Sequence, residues 1–130
     1  MGLNPPIMAA RRVGKQPNMK EMSREELKAK LDRGDPFNLV MTLGVFAFQG
    51  KHIPGSLNLH EPEDLLAKLD PQQETVVYCS DRLCPSSIMA YHFLNGRGYK
   101  KLWRYSGGLS DWEQAGYPLE GELAPRAPAG

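Results

Sequence analysis

The residues best suited to chemistry lie in one short segment that contains both cysteines of the chain. It reads Cys79-Ser80-Asp81-Arg82-Leu83-Cys84-Pro85-Ser86-Ser87. Apolar, β-forming residues precede it at 75–78 and a helical pattern follows it, so Cys79 stands where a strand ends. The free N–H groups and the dipole at a helix N-terminus stabilise an anion and lower a thiol pKa from about 8.5. The segment therefore predicts a reactive thiolate, with Cys79 as the catalytic residue.

The rest of this segment is predicted to bind substrate. Arg82 adds a positive charge that can receive an oxyanion, and Ser86 and Ser87 can cap the helix or donate hydrogen bonds within the loop. Cys84 is the candidate second or resolving cysteine, and it stays a second candidate for the nucleophile because it lies nearer the helix. The predicted substrate-binding residues are Ser80, Asp81, Arg82, Leu83, Pro85, Ser86 and Ser87.

Two other interpretations of the cysteines stand beside the catalytic one. Unpaired cysteines are often buried and behave as small hydrophobic side chains. Alternatively, Cys79 and Cys84 could join His52 or His92 in a zinc site. No second cysteine pair and no paired histidine motif follows, so we predict no metal.

Composition limits the function classes. The chain has 130 residues, which fits one domain, and its formal net charge is +1. This balance offers no long-range field for nucleic acid or an anionic membrane, so neither is an expected partner. The N-terminal residues lack the apolar stretch of a secretory signal, and we expect a cytoplasmic protein. Two cysteines do not make a disulfide framework, and a reducing compartment favours thiols.

Helices and strands alternate along the chain. Ser23 and Glu26 form a capping-box pattern that begins a helix, and Gly34 ends it. Strands are predicted at 37–43, 75–78 and 102–105, and residues 44–58 are predicted to be mostly loop. Two further helices cover 62–69 and 86–95, and a last one contains two apolar residues on one face. The residues predicted to face inward from these helices are Leu65, Leu66, Leu69, Met89, Ala90, Phe93, Leu94, Leu109 and Trp112.

This alternation predicts an α/β fold with a central, mostly parallel sheet. In such sheets ligands bind beyond the carboxyl ends of the strands, where the cysteine segment lies. We expect one domain at 19–121, preceded by a flexible tail at 1–18 and followed by another at 122–130.

Three motifs together resemble the rhodanese-like family of single-domain sulfurtransferases. The first is His-Ile-Pro-Gly-Ser-Leu-Asn at 52–58, with Phe48 before it. The second is the strand that ends in Cys79. The third combines Gly107-Gly108-Leu109 and Trp112 with the closing Ala-Gly-Tyr-Pro at 115–118. The resemblance covers about 19–121 and implies a rhodanese-like fold with helices on both faces of the sheet. From the residue types, we expect His52 to fix a loop, the glycine pair to let backbone pass close to the cysteine loop, and Trp112 to fill the core.

The resemblance also implies a reaction. A cysteine thiolate takes sulfane sulfur from a small donor such as thiosulfate, a polysulfide or a persulfide, and becomes a persulfide. It passes that sulfur to cyanide, a thiol or a protein acceptor, which is covalent nucleophilic catalysis in two halves. No cofactor is implied.

The sequence departs from the family pattern at a strand end. Members of the family usually carry Asp-Val-Arg where this chain has Met41, Thr42 and Leu43. The alternative function is therefore a weakly active or non-catalytic module that acts as a thiol redox switch or binding domain. A phosphatase or arsenate reductase with an anion-binding loop ranks below both, because it needs an arginine where this chain has Pro85.

Overall fold

A parallel β-sheet forms the centre of the computed structural model, which describes residues 19–124. Its five strands lie in the order β1-β5-β4-β2-β3, and every pair of neighbouring strands is parallel. The strands are β1 Glu21–Met22, β2 Asn38–Met41, β3 Leu57–Asn58, β4 Thr75–Tyr78 and β5 Leu102–Tyr105. The helices are α1 Arg24–Arg33, α2 Val45–Gly50, α3 Pro62–Lys68, α4 Pro85–Asn95 and α5 Gly108–Gln114. The predicted α/β fold with a parallel sheet is confirmed.

Alternation along the strands divides the apolar side chains between two cores. On β4, Val77 points to one face and Val76 to the other, because successive side chains of a strand point in opposite directions. The Val77 core includes Leu65 of α3 and Leu94 of α4. The Val76 core includes Leu27 of α1 and Trp112 of α5, as expected for Trp112. Helices therefore cover both faces of the sheet, as the family resemblance implied.

The first helix begins and ends where the sequence predicts. Ser23 Oγ accepts a hydrogen bond from the Glu26 N–H at 3.1 Å, and Glu26 Oε1 accepts one from the Ser23 N–H at 2.9 Å. Gly34 ends the helix in the left-handed conformation, with φ of 73°. Such caps typically contribute about 1 kcal/mol to stability, so they favour the helix between these two ends.

Three details of the predicted elements are wrong. Residues 44–58 are not mostly loop, since they contain α2 and β3. The sequence did not predict these two elements because both are too short to show a clear periodicity. Leu66 and Met89 do not face inward, because their side chains are 43% and 68% exposed. Each is the sequence neighbour of a residue that does face the core, and consecutive residues on a helix point about 100° apart.

The described chain continues past the predicted domain end. The N–H groups of Glu122 and Leu123 donate hydrogen bonds to the carbonyls of Gln49 and Gly50 at 2.9 and 2.8 Å. The predicted N-terminal tail at 1–18 lies outside the described residues, as do residues 125–130 of the predicted C-terminal tail at 122–130. Within 19–124 there is no helix with the length and apolar character needed to cross a membrane.

Candidate active site

Cys79 follows the last residue of β4, the middle strand of the sheet, and is only 1% exposed. A disulfide joins it to Cys84, and their Cα atoms are 6.3 Å apart. This separation lies within the range of about 4.4–6.8 Å that disulfides require. The structure thus describes the oxidised state of the pair rather than the free thiols expected from the sequence.

Asp81 shapes the loop that brings the two cysteines together. Its Oδ1 accepts hydrogen bonds from the N–H groups of Leu83 at 2.9 Å and Cys84 at 3.0 Å. An aspartate that binds the backbone two residues further on closes a tight turn. The chain therefore reverses within the loop, and Cys84 returns to Cys79. In this state the Asp81 side chain has a structural role.

The predicted caps of α4 are wrong. Cys84 occupies the N-cap position, and no side-chain cap hydrogen bond is present. The helix begins one residue earlier than expected, because Pro85 has no N–H and its fixed φ suits the first helical position. Ser86 and Ser87 therefore lie inside the first turn, where their own N–H groups point towards the loop.

A buried arginine that the sequence analysis did not predict holds this turn. Arg104, on β5, is 3% exposed. Its Nε donates to Ser87 Oγ and its Nη2 to the Arg82 carbonyl, both at 2.9 Å. Burial is the main effect that lowers the pKa of Arg104, yet an arginine stays charged at neutral pH. The one sequence signal was a lone charged residue in the apolar run 102–105.

The other predicted loop residues differ in exposure. The Arg82, Leu83 and Pro85 side chains are exposed, Leu83 to 87%. Ser80 is partly buried, and its Oγ lies 4.0 Å from Cys79 Sγ. The Arg82 side chain is thus accessible to solvent, and its contact with an anion stays a prediction.

The start of α5 packs against the cysteine loop. The N–H groups of Leu109 and Ser110 donate to the carbonyls of Cys79 at 2.9 Å and Ser80 at 2.8 Å. Such an approach leaves no room for a side chain at Gly108, as expected for the glycine pair.

The histidine motif fixes a neighbouring loop, as predicted. His52 Nδ1 lies 2.7 Å from the Phe48 carbonyl, and its ring stacks on Phe48 with centroids 3.8 Å apart. The Ile53 N–H donates to the Tyr78 hydroxyl at 3.0 Å. Since the Ser56 hydroxyl donates to the Ile53 carbonyl, Tyr78 in turn donates to Ser56. The motif is thereby tied to β4, one residue before Cys79.

The positions that carry Asp-Val-Arg in the family are neutral and mostly buried here. Met41 is fully buried, and Leu43 packs against the same core. Thr42 is 5% exposed, and its Oγ1 donates to the Tyr78 carbonyl at 3.2 Å. No side chain at these three positions offers a charge to a substrate.

Two cavities of about 280 Å³ lie near the cysteine loop, one against the first turns of α4 and the other against Ser80. Thr42, His60, Ser86 and Met89 line the first. Leu43, Phe46, Ser80 and Leu109 line the second. Both are slightly smaller than typical pockets for drug-sized ligands, which begin at about 300 Å³, so they suit small substrates. Among residues 19–124, no group of three or more His, Cys, Asp or Glu side chains could hold a metal ion.

Comparison with known proteins agrees with this fold. The family model described as Rhodanese-like domain matches residues 23–115. No curated protein matched the sequence. The rhodanese-like domain of an Anabaena sp. protein has 25% identity and a TM-score of 0.71, with 85% of each chain covered. A protein from Bacillus halodurans has 21% identity and a TM-score of 0.75, with 92% of this chain and 88% of that chain covered.

A thiosulfate sulfurtransferase from Pseudomonas aeruginosa shares the fold. It has 22% identity and a TM-score of 0.68, and the match covers 89% of this chain but only 22% of that one. At this identity the similarity shows the fold alone. The family match spans α1 to the end of α5 and includes the cysteine loop and the glycine pair. The chain belongs to the rhodanese-like domain family.

Proposed function

We propose that this protein is a sulfurtransferase that carries sulfane sulfur as a persulfide on Cys79. The observation that carries the proposal is the position of Cys79, at the carboxyl end of the central strand, in a loop that leads into the N-terminus of α4. The helix dipole and the N–H groups of the first turn stabilise negative charge on sulfur there. The same groups would stabilise the persulfide anion.

The reaction begins from the reduced dithiol. The Cys79 thiolate attacks the sulfane sulfur of the donor, a new S–S bond forms on Cys79, and the donor's S–S bond breaks. With thiosulfate the leaving group is sulfite, which departs with the electron pair of the broken bond. In the second half, an acceptor thiolate or cyanide attacks the outer sulfur, and the Cys79 thiolate leaves. Both halves are nucleophilic displacements at sulfur.

Small sulfur donors and thiol or protein acceptors are the proposed partners. Arg82 is exposed in the loop and can attract the anionic donor. The two cavities beside the loop are small, which favours thiosulfate, polysulfide or a small persulfide as the donor.

A thiol redox switch is the second candidate, and the disulfide is the observation that favours it. If Cys84 attacks the inner sulfur of a Cys79 persulfide, a Cys79–Cys84 disulfide forms and hydrosulfide leaves. A dithiol reductant then restores the two thiols by exchange and becomes a disulfide itself. Cys84 would thus act as a resolving cysteine that protects Cys79 from over-oxidation.

Sulfur loading of single-cysteine variants tests the proposal. The protein is reduced, freed of reductant and incubated with thiosulfate or polysulfide, and mass spectrometry then locates added sulfur. We expect it on Cys79. Cys79→Ser should abolish transfer to cyanide or thiol, and Cys84→Ser should retain much of it. The assignment is wrong if Cys84→Ser is inactive and Cys79→Ser active. If neither variant nor the wild type gains sulfur while the disulfide cycles, the switch function remains.

A further inference from the structure

Arg104 reaches from the sheet to hydrogen-bond acceptors on both sides of Cys84. It lies on β5, in register with Val77 of β4, and its side chain shares a face with Leu102, towards α4. One hydrogen bond goes to the Arg82 carbonyl, before Cys84, and the other to the Ser87 hydroxyl, after it. Each donor–acceptor distance is 2.9 Å.

The cost of burying this charge argues for a specific role. Within residues 19–124, no carboxylate lies within 4.0 Å of the Arg104 guanidinium. The charged groups near it are Glu21, its partner on β1, and Arg82 in the loop. An apolar side chain would fill this strand position at lower cost in desolvation, since buried charges without a paired countercharge are expensive. The compensation visible here is the pair of hydrogen bonds to the cysteine loop.

We propose that Arg104 is a positioning residue of the dithiol site, which holds the segment around Cys84 so that Cys84 stays within bonding reach of Cys79. The planar guanidinium presents its N–H groups in a rigid fork and can bind the two acceptors at once. A lysine keeps the charge but offers a single ammonium on a flexible stem. A comparison of Arg104→Lys with the wild type therefore separates the effect of positioning from the effect of the positive charge.

The equilibrium between the dithiol and the Cys79–Cys84 disulfide should depend on this tether. A tethered loop raises the effective concentration of Cys84 at Cys79, and loss of the tether lowers it. We expect Arg104→Met to reduce the equilibrium constant for disulfide formation about tenfold, since two hydrogen bonds of ordinary strength are lost. For a two-electron couple, this corresponds to a potential about 30 mV higher. Arg104→Lys and Ser87→Ala should each give an intermediate loss of about threefold.

The experiment is a redox titration of the full chain in dithiothreitol buffers of known ratio, with thiols counted by alkylation and mass spectrometry. Arg97→Met is the matched control. It also removes one arginine that binds a carbonyl, that of Phe93, but Arg97 is exposed and lies beyond the far end of α4. We expect the control to keep the wild-type equilibrium constant. Near-ultraviolet circular dichroism and urea unfolding establish that each variant is folded.

A folded Arg104→Met with the wild-type equilibrium constant would overturn the proposal, as would an equal change in Arg97→Met. If Arg104→Met does not fold, Arg104→Lys and Ser87→Ala decide, because each removes only part of the tether. Wild-type constants in both would then overturn it. The inference rests on the dithiol chemistry proposed above, but the titration uses no sulfur donor. A chain that never forms a persulfide can still show the Arg104 effect, so failure of sulfur transfer is distinguishable from failure of this proposal.

Discussion

Gly108 lies so close to Cys79 that a Cβ at Gly108 would be 2.7 Å from the Cys79 carbonyl oxygen. The same Cβ would be 2.9 Å from the Asp81 nitrogen. Gly108 also has a φ of +71°, a conformation that side-chain-bearing residues seldom adopt. Two independent constraints therefore require glycine here, and both serve the contact between α5 and the cysteine loop.

Replacement of Gly108 by alanine should destabilise the protein and disturb its loop. The left-handed conformation alone costs about 1–2 kcal/mol for a residue with a Cβ. The clash with the loop backbone adds about 1–3 kcal/mol, as overpacking typically does. Urea unfolding measures the total. Gly34→Ala is the matched control, because Gly34 has a φ of +73° but no atom within 4 Å of the added Cβ. Equal losses in the two variants would show that the contact with Cys79 contributes nothing.

Replacement of Asp81 by alanine should slow closure of the disulfide. The variant loses the carboxylate that accepts from the Leu83 and Cys84 N–H groups, so the reduced loop samples more conformations. The reduced protein is oxidised, and samples are quenched at intervals by alkylation of the remaining thiols. The rate of thiol loss is the rate of disulfide closure. Asp81→Asn keeps an oxygen at Oδ1 and should close nearly as fast as the wild type. An alanine variant as fast as the wild type would contradict the turn's role.

Removal of the Tyr78 hydroxyl should weaken the link between β4 and the histidine motif. In Tyr78→Phe the buried Ile53 N–H loses its acceptor, and an unsatisfied buried donor costs about 1–3 kcal/mol. Unfolding in urea at neutral pH should show a loss of this size. Tyr91→Phe is a useful comparison, because the Tyr91 hydroxyl also accepts a backbone N–H, that of Lys20 at 2.9 Å, but lies far from the motif in sequence. Only the Tyr78 variant should also change the environment of the His52 ring, which NMR can follow.

Alkaline pH should destabilise the protein through Tyr78. Burial raises the pKa of Tyr78 from 10.0 to about 12 in the folded state. Below pH 10 both states hold the proton, so the stability does not change with pH through this group. Above it the unfolded chain releases the proton first, so the free energy of unfolding falls by about 1.4 kcal/mol per pH unit until the folded pKa is reached. Tyr78→Phe should fall less steeply between pH 10 and 12. Parallel curves for the two proteins would show that Tyr78 does not titrate in this way.

Thiosulfate should be a poorer donor than polysulfide. Thiosulfate carries a sulfonate group that needs charged partners, and Met41 and Leu43 stand where the family usually has them. Each missing charge-assisted hydrogen bond costs about 1.5–3 kcal/mol, or roughly a tenfold or larger loss in rate. Transfer to cyanide with each donor, on the same reduced protein, measures the ratio. A thiosulfate rate as high as that of a dedicated thiosulfate enzyme would mean that Arg82 and the loop amides suffice.

Local signals in the sequence predicted the parts of the fold that depend on neighbouring residues. The capping box at Ser23 and the glycine at Gly34 fixed α1, and the apolar run before Cys79 fixed β4. Elements as short as β1 and α2 carry too few residues for a period to emerge. Leu66 and Met89 were predicted to face inward because an apolar residue type alone does not fix its direction on a helix.

The features of the site that depend on neighbouring residues in the sequence were predictable, and those that depend on contacts between distant residues were not. The position of Cys79 and the motif around His52 follow from short patterns. Arg104 acts on residues 82 and 87 across the space between a strand and a helix, and only the folded chain brings these together. The pairing of Cys79 with Cys84 was only partly predictable. The two cysteines are five positions apart in sequence, but the turn at Asp81 decides whether they come close enough to form a bond.

The two cysteines of the disulfide are not equally exposed, and we expect this difference to set the direction of reduction. Cys79 is 1% exposed, whereas Cys84 is only partly buried at the start of α4. We therefore expect an incoming thiol to attack the sulfur of the more exposed residue, Cys84, and to expel the Cys79 thiolate. Electrons therefore enter the site through Cys84 and leave the negative charge on Cys79. The partly exposed cysteine would be joined to the reductant in a mixed disulfide, while the buried one, the proposed nucleophile, would be set free as a thiolate.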